Sequence, residues 1–463
     1  MLQAAARLAR GQQPYRDFRL NYPPGQPLAL SALYRAVGPS LIAWRVMRVG
    51  VDACVSVLAY RLARRATGEP LALAAWLGTA GAMAFPTGAG PNPPAQALSL
   101  GAVLLARSRP VGAGALAGAA SVFRLEMGAA ALTGVVIAAQ PEQRSRSAVA
   151  ALFVAAAGLV PFAVAAPREM LEDTIGFFRI QPMQRLPLPL RFAGPWRPSK
   201  VIEFYMPVIL FGGFGSWLIA TATSRSCDRE TVALAPLAFV GAGYLRARID
   251  EFHLVPLAAT LPTMLARTAA AERRPGWRTA LLASLALIVM HGLGRKAGQA
   301  LHPPPLAPVP GPAGAGVMTS PDDARELAGV IASVQELTAP AESVFVANPR
   351  HDLVRVGNPL LYALLGRPNP TRYDVMQPGV VTTGEVQQEI IGALAGTRVV
   401  VRWIHPTACE PEPNGAGRSS GVEILDQYLD AHFRRHSQHG NYEVLTRAIS
   451  SHGPASRELR GPR

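Results

Sequence analysis

Lysine is almost missing from this chain: it occurs only at Lys200 and Lys296, so a formal charge of +15 over 463 residues rests almost wholly on arginine. Charge of either sign is scarce, at 16% of residues against 49% hydrophobic ones. Soluble domains carry roughly a quarter charged residues, so the composition belongs in a bilayer. The basic excess could suggest nucleic acid. An arginine-only bias with abundant Ala, Gly and Pro reads instead as an Arg-rich bacterial coding style, and nucleic acid is not an expected partner. Cys54, Cys227 and Cys409 are too scattered for a metal cluster, and the topology below puts them in a span, on the inner side and on the outer side, which argues against a structural disulfide. Residues 1–22 lack the basic start and short apolar core of a cleavable signal. No Walker-type phosphate loop, G-x-S-x-G, HExxH or paired CxxC occurs.

What is present is a series of apolar runs, at 39–60, 69–85, 95–106, 111–123, 127–139, 148–165, 203–222, 230–245, 253–268 and 279–293. Several fall short of the ~20 residues a perpendicular span needs. Gly- and Ala-rich stretches such as VGAGALAGAASV (Val111 to Val122) still span when buried among neighbours, because small residues let helices approach closely. The expectation is an α-helical polytopic membrane protein of about ten spans. Alternate connections carry Arg64 and Arg65, Arg107 and Arg109, Arg144 and Arg146, Arg225 and Arg229, and Arg273, Arg274 and Arg278, which makes them cytoplasmic by the positive-inside rule. The opposite connections, Phe85 to Pro94, Phe123 to Glu126, 166–202 and Arg246 to His253, then face outside with both termini. Arg168, Arg179, Arg185, Arg191, Arg197 and Lys200 in the long loop run against the rule, and the short loops decide the orientation.

The expected order is an outer loop over 1–38, a helical membrane domain over 39–293, a stiff Pro-rich linker over 294–319, an extracytoplasmic α/β domain over 320–449 and a disordered basic tail over 450–463. Ser320 with Pro321, Asp322 and Asp323 starts a helix running to about Leu337. Ser343 to Ala347, Arg398 to Trp403 and Tyr442 to Arg447 read as strands, with helices near 382–396 and 420–435 between them.

Asp17, Arg124, Glu126, Arg246, Arg248, Asp250, Glu251 and His253 all fall at the outer ends of spans or in outer loops. Charge at a membrane boundary is costly unless paired or solvated, so this one-sided set is the candidate site, with interfacial anchoring as the alternative for each residue. Asp17, flanked by Tyr15 and Phe18, is a carboxylate for an acceptor hydroxyl or a metal, or a loop cap. Arg124 and Glu126 interrupt an apolar hairpin, and mutual pairing explains them as well as catalysis does. In RARIDEFHLVPL (Arg246 to Leu257) two guanidiniums, two carboxylates and an imidazole precede a span. An arginine fork donates two hydrogen bonds to phosphate oxygens, and a neighbouring His or carboxylate moves a proton or balances the charge. A divalent cation is an open cofactor, requiring Asp17, Asp250 and Glu251 to converge. His351, Asp352, Arg402, His405 and Asp426 read as surface or packing residues. Arg45, Arg48 and Asp52 are the main charges inside a span, where a transporter would place them.

The segments A-x-x-L-x-x-G-x-x-P-Y-R-D-F (Ala5 to Phe18), YPPG (Tyr22 to Gly25), the looser stretch from Gly118 through FRLEMG to Gly128, and R-x-D-E-F-H-L-x-P (Arg248 to Pro256) resemble the GT-C class of integral membrane glycosyltransferases, the set related to protein O-mannosyltransferases and bacterial lipid-linked-sugar transferases. The resemblance covers nearly the whole chain. It implies transfer of a sugar, with inversion, from a polyprenyl-phosphate donor to a glycan, lipid or protein acceptor at the outer face of a bacterial cell membrane. It places Arg246, Arg248 and His253 at the donor phosphate and Asp17 near the sugar or acceptor, with Arg124, Glu126, Asp250 and Glu251 in support. In the family a first transmembrane helix and an acidic pair precede the segment matching Ala5 onward. The expectation is that this pair supplies the base and lies upstream of Met1. The alternatives are an inactive or partner relative in glycan assembly and a transporter or flippase of lipid-linked precursors.

Overall fold

The structure, a computed structural model, describes residues 1–84, 90–194, 196–224 and 227–448. The first part of the expected Phe85 to Pro94 connection, Arg225 and the expected tail from Ser450 lie outside the described residues. The chain divides into two units, Met1–Pro321 with Glu412–Ala416, and Asp322–Pro411 with Gly417 onward.

The first unit is helical. α1 (Leu2–Ala9) and α2 (Gly25–Val37) are followed by α3 (Leu41–Arg64), α4 (Glu69–Met83), α5 (Asn92–Leu105), α6 (Pro110–Phe123), α7 (Leu125–Ala138) and α8 (Pro141–Ala165). Then come α9 (Pro167–Thr174), α10 (Pro198–Ser224), α11 (Arg229–Ala233), α12 (Ala235–Ala247), α13 (Glu251–Ala271) and α14 (Pro275–Leu301). Proline in the first turn starts α4, α5, α6, α8, α12 and α14, where its missing N–H leaves no helical bond unmade. Asp228 and Asp250 cap α11 and α13, each accepting from two backbone amides. Each apolar run of the sequence lies on one of these helices. The run at 230–245 is divided between α11 and α12 just before Pro236.

Two segments differ from expectation. Residues 1–38 are not a loop. α1 buries Ala4 and Leu8 against Tyr15, Phe18 and Leu20, and Arg7 within it and Arg10 just after it disguise an apolar face. Residues 294–301 belong to α14 and not to the linker, because nothing in GRKAGQAL stops a helix before Pro303. A two-stranded antiparallel pair, β1 (Ala307–Pro308) and β2 (Met318–Thr319), follows.

Among the described residues four helices, α8, α10, α13 and α14, are long and apolar enough to cross a membrane by length and composition, whereas α6 and α7 are apolar but shorter. α13 is the hub of the unit: 83% of its apolar window is buried, against 6% for α8. Side chains of α3 to α7 and α10 to α14 form one core. At one end of the helices buried Arg267 and Glu230 join Asp228, Arg65 and the Leu62 carbonyl in one network, with Asp228 and Arg65 reaching solvent. The opposite end carries the site.

The second unit packs α15 (Pro321–Leu337), α16 (Leu360–Leu365), α17 (Gly384–Ala393) and α18 (Ile424–His432) with a mixed sheet. Its strands are β3 (Val344–Ala347), β4 (Val399–Trp403), β5 (Phe433–His439) and β6 (Tyr442–Arg447), in the order β3-β4-β6-β5. β3 and β4 are parallel, and the other two pairs are antiparallel. β5 and α16 have no counterpart in the sequence reading: FRRHSQH is too polar to announce an edge strand.

Candidate functional site

The YPPG segment, the α6–α7 hairpin and the end of α12 meet on Arg124. The Cβ of any larger residue at Gly25 would stand 2.6 Å from the Val122 carbonyl, so only glycine lets α2 start this close to α6. This approach puts the Tyr22 ring 4.9 Å from the Arg124 guanidinium, with the Tyr244 ring 4.7 Å away. Arg124 is buried, donates from Nε to Glu126 at 2.8 Å and to the Tyr244 hydroxyl at 2.8 Å, and Tyr244 in turn donates to Glu126. Two rings and one carboxylate thus neutralise a cation that could not stay here alone.

Tyr244 connects this group to the start of α13, its ring centroid lying 6.5 Å from that of His253. Asp250 accepts from the amides of Phe252 and His253, pairs with His253 Nδ1 at 2.6 Å and receives Arg248 Nε at 2.7 Å. Burial opposes its ionisation, yet His253 and Arg248 hold its carboxyl below the usual range. Arg248 also grips Glu412 through both terminal nitrogens, at 2.9 and 2.5 Å, and donates to the Gln184 carbonyl at 3.1 Å. It fastens the 184 and 412 segments to the head of α13. Arg246, two residues earlier, is exposed and has no ion pair among the described residues.

On its other side the head of α13 lines a narrow, partly open crevice, with Glu251, His291 and Arg295 among apolar walls from Met206, Leu254 and Ile288. Gly81 also lines it, and α4 and α14 approach closely there, since a Cβ on Gly81 would lie 2.7 Å from the Gly292 Cα. Arg295 pairs with Glu251 at 3.0 Å, and Glu203 stands 3.8 Å from it. His291 Nδ1 is buried without a hydrogen-bond partner. The crevice therefore sets a paired carboxylate and guanidinium and a buried imidazole beside apolar side chains.

The structure therefore brings Arg124, Glu126, Asp250, Glu251 and His253 to one end of the helices, together with Arg246 and Arg248. It does not bring Asp17 into contact with them. Asp17 caps its own turn, accepting from the Gln13 amide at 2.7 Å and pairing with Arg16, whose hydrogen bonds hold its carboxyl low. Tyr15 in that turn has a positive φ of 68° and donates to the Tyr22 carbonyl; burial, and then the charge of Asp173, push its hydroxyl up. Among the described residues no three His, Cys, Asp or Glu side chains are grouped to hold a metal, so Asp17, Asp250 and Glu251 do not form that set. Arg48 and Asp52 close on each other at 2.8 Å, and Arg45 is exposed. In the second unit buried His351 is held by Asp426 at 2.7 Å, Asp352 by Arg350 and Ser419, and Arg402 by Asp430, while His405 caps its own turn by accepting from the Thr407 amide; all are engaged in packing the unit.

Sequence reasoning missed Tyr22, Tyr244, Glu203, His291, Arg295 and Glu412. The i,i+4 spacing of His291 and Arg295 at the end of an apolar run was the one available signal.

No family model and no curated protein matches the sequence. Solved structures do. ArnT from Cupriavidus metallidurans in the apo state superposes with a TM-score of 0.57 at 13% identity, covering 98% of this chain and 93% of that one. ArnT of the same organism bound to undecaprenyl phosphate gives 0.50 at 12% identity over the same shares. At such identities the likeness speaks for the fold. It extends over nearly the whole chain, and the fold is that of ArnT.

Proposed function

We propose that this protein transfers a sugar, with inversion, from a polyprenyl-phosphate donor to a hydroxyl of a glycan, lipid or protein acceptor at the extracytoplasmic face of the cell membrane, with its second unit on that face. The observation that carries the reading is the cleft: Glu251 and Arg295 stand together over apolar walls, at the same helix ends as Arg124, Arg246 and Arg248. That a solved structure of the same fold is bound to undecaprenyl phosphate supports it.

In this mechanism the acceptor oxygen bonds the anomeric carbon as the bond from that carbon to the phosphate oxygen breaks, and the electron pair leaves on the phosphate. Arg295, shared with Glu251, stabilises that growing charge by its N–H donors, and Arg246, exposed and without an ion pair among the described residues, is assigned to drawing the phosphate to this end of the helices. Glu251 takes the acceptor proton, and its displacement from Arg295 onto that proton frees the guanidinium for phosphate. Arg248 and His253 act through Asp250 and Glu412 by holding the head of α13 in place. Asp17 lies in a separate turn and is assigned to fixing the entry of the chain into α2.

The test is transfer from a panel of undecaprenyl-phosphate sugars to native membrane acceptors by the reconstituted protein. Glu251→Gln, of nearly the same volume, is expected to lower kcat at least 100-fold with unchanged folding, the usual size of a general-base loss. Full transfer by Glu251→Gln would remove it as the base. Absence of transfer from every donor by wild-type protein that binds undecaprenyl phosphate would move the reading to a non-catalytic relative.

A further inference from the structure

Between α9 and α10 the chain runs GFFRIQPMQRLPLPLRFAGPWRPSK, Gly176 to Lys200, with five cations and no carboxylate. Elsewhere in the first unit several arginines are closed into ion pairs, as at Arg19, Arg48, Arg65, Arg124, Arg248, Arg267 and Arg274. Here Arg179, Arg185, Arg191 and Arg197 are all exposed and none has an ion pair among the described residues. They recur every six residues. Six is a whole number of periods for both an extended strand and a polyproline helix, and the chain from Arg185 onward has no helix until Pro198, with Pro187 and Pro189 stiffening it. In the sequence, Leu186, Leu188 and Leu190 alternate with Arg185 and Arg191, and Phe192 and Trp196 flank the step to Arg197.

The apolar partners are not packed away. Leu190 is 79% exposed, Trp196 82% and Phe178 50%. Phe192 stacks edge-on with Trp196 and with Phe204 in the second turn of α10, so the segment is continuous with a helix apolar enough to cross a membrane. Unpaired arginines beside exposed aromatic and aliphatic side chains, at the point where such a helix begins, fit the boundary between lipid phosphates and acyl chains.

We propose that Gly176–Gly194 and Trp196–Lys200 form an interfacial strap seated on anionic phospholipid, the arginines on headgroup phosphates and Leu190 and Trp196 below them. Its occupant is the lipid surface itself, because only that supplies phosphates at repeated intervals together with an apolar layer. The strap does not depend on catalysis.

The experiment uses the full chain in vesicles of phosphatidylcholine alone or with 30% phosphatidylglycerol, about the anionic content that gives each basic residue near the surface a roughly fivefold gain in partitioning. The Trp196 emission is isolated as the difference between wild type and Trp196→Phe, and brominated acyl chains are placed on one lipid or the other. The expected result is a blue-shifted Trp196 signal, quenched at least threefold more by brominated phosphatidylglycerol than by brominated phosphatidylcholine at equal content. Joint Arg179→Gln, Arg185→Gln, Arg191→Gln and Arg197→Gln brings that ratio to one. If the quadruple variant fails to insert, 1 M salt on the wild type serves instead, because screening within about 3 Å removes the same preference. A water-like Trp196 emission, or equal quenching by both lipids in the wild type, overturns the proposal.

Discussion

Replacing Arg124 by Met is the sharpest perturbation of the site end. The guanidinium is buried, with one-tenth of its side chain exposed, and it lies between two tyrosine rings and above Glu126, whose side chain is 30% exposed. Methionine keeps most of the volume and loses the charge. What remains is a carboxylate largely out of water with only the Tyr244 hydroxyl to hold it. Breaking a buried pair in this way costs about 3–5 kcal/mol. The exposure of Glu126 argues for the lower figure, while the two lost cation–π contacts add about 1 kcal/mol. A net loss of about 4 kcal/mol corresponds to a fall of roughly 8 °C or more in Tm for a domain of a few hundred residues. The assay is intrinsic-fluorescence melting of detergent-purified protein at fixed lipid and detergent content. Glu126→Gln is the companion variant: it retains an acceptor for Arg124 and Tyr244 and leaves a cation already held by two rings, so its fall is expected to be under half that of Arg124→Met. An Arg124→Met protein melting within 1 °C of wild type, or a Glu126→Gln protein melting lower than Arg124→Met, would refute the reasoning.

Gly25→Ala forces α2 away from the Val122 carbonyl, 2.6 Å from the new Cβ, at about 1–3 kcal/mol of overpacking; lower Tm and weaker donor binding are expected together, and an unchanged protein would show that the approach is not tight. Arg267→Met opens the network at the opposite end, stranding Glu230 with Arg65 alone, and is expected to cost about 3 kcal/mol in the same melt without changing KM for the donor. In the second unit hydrogen bonds from Arg350 hold the Asp352 carboxyl below its ordinary value of 3.8. A carboxyl depressed in the folded state stabilises above its unfolded value and loses that contribution as pH falls through the folded one. Melting temperature is therefore expected to drop as pH falls below about 4. Asp352→Asn flattens this acid limb, whereas an identical limb in the variant would assign it to other carboxylates.

The helical frame was legible because its signals are local. Runs of apolar residues bounded by proline and Asp caps mark α3 to α8 and α10 to α14, and Pro303 marks where α14 must already have ended. α1 and α2 were not legible, since Arg7, Arg10 and Arg35 dilute an apolar face that has partners only once Tyr15, Phe18 and Leu20 fold against it. The head of α13 was read correctly as a concentration of charge, but not the division of labour within it. Arg248 reads as a free phosphate ligand until Glu412, 164 residues later, is seen to occupy it. Asp17 reads as a free carboxylate until Gln13 and Arg16 are seen to use it. His291 and Arg295 were hidden because a span is scored by its apolar residues, and the polar ones that line a cleft register only as its fraying end.

The most direct test of the account is photolabelling of the reconstituted full chain with a diazirine-bearing undecaprenyl phosphate, followed by peptide mapping. The account predicts labels on the starts of α10 and α13 and the end of α14, around Met206, Leu254 and Ile288, competed by undecaprenyl phosphate and not by undecaprenol. Labels confined to the lipid-facing side of α8, or competed equally by the alcohol without its phosphate, would contradict it.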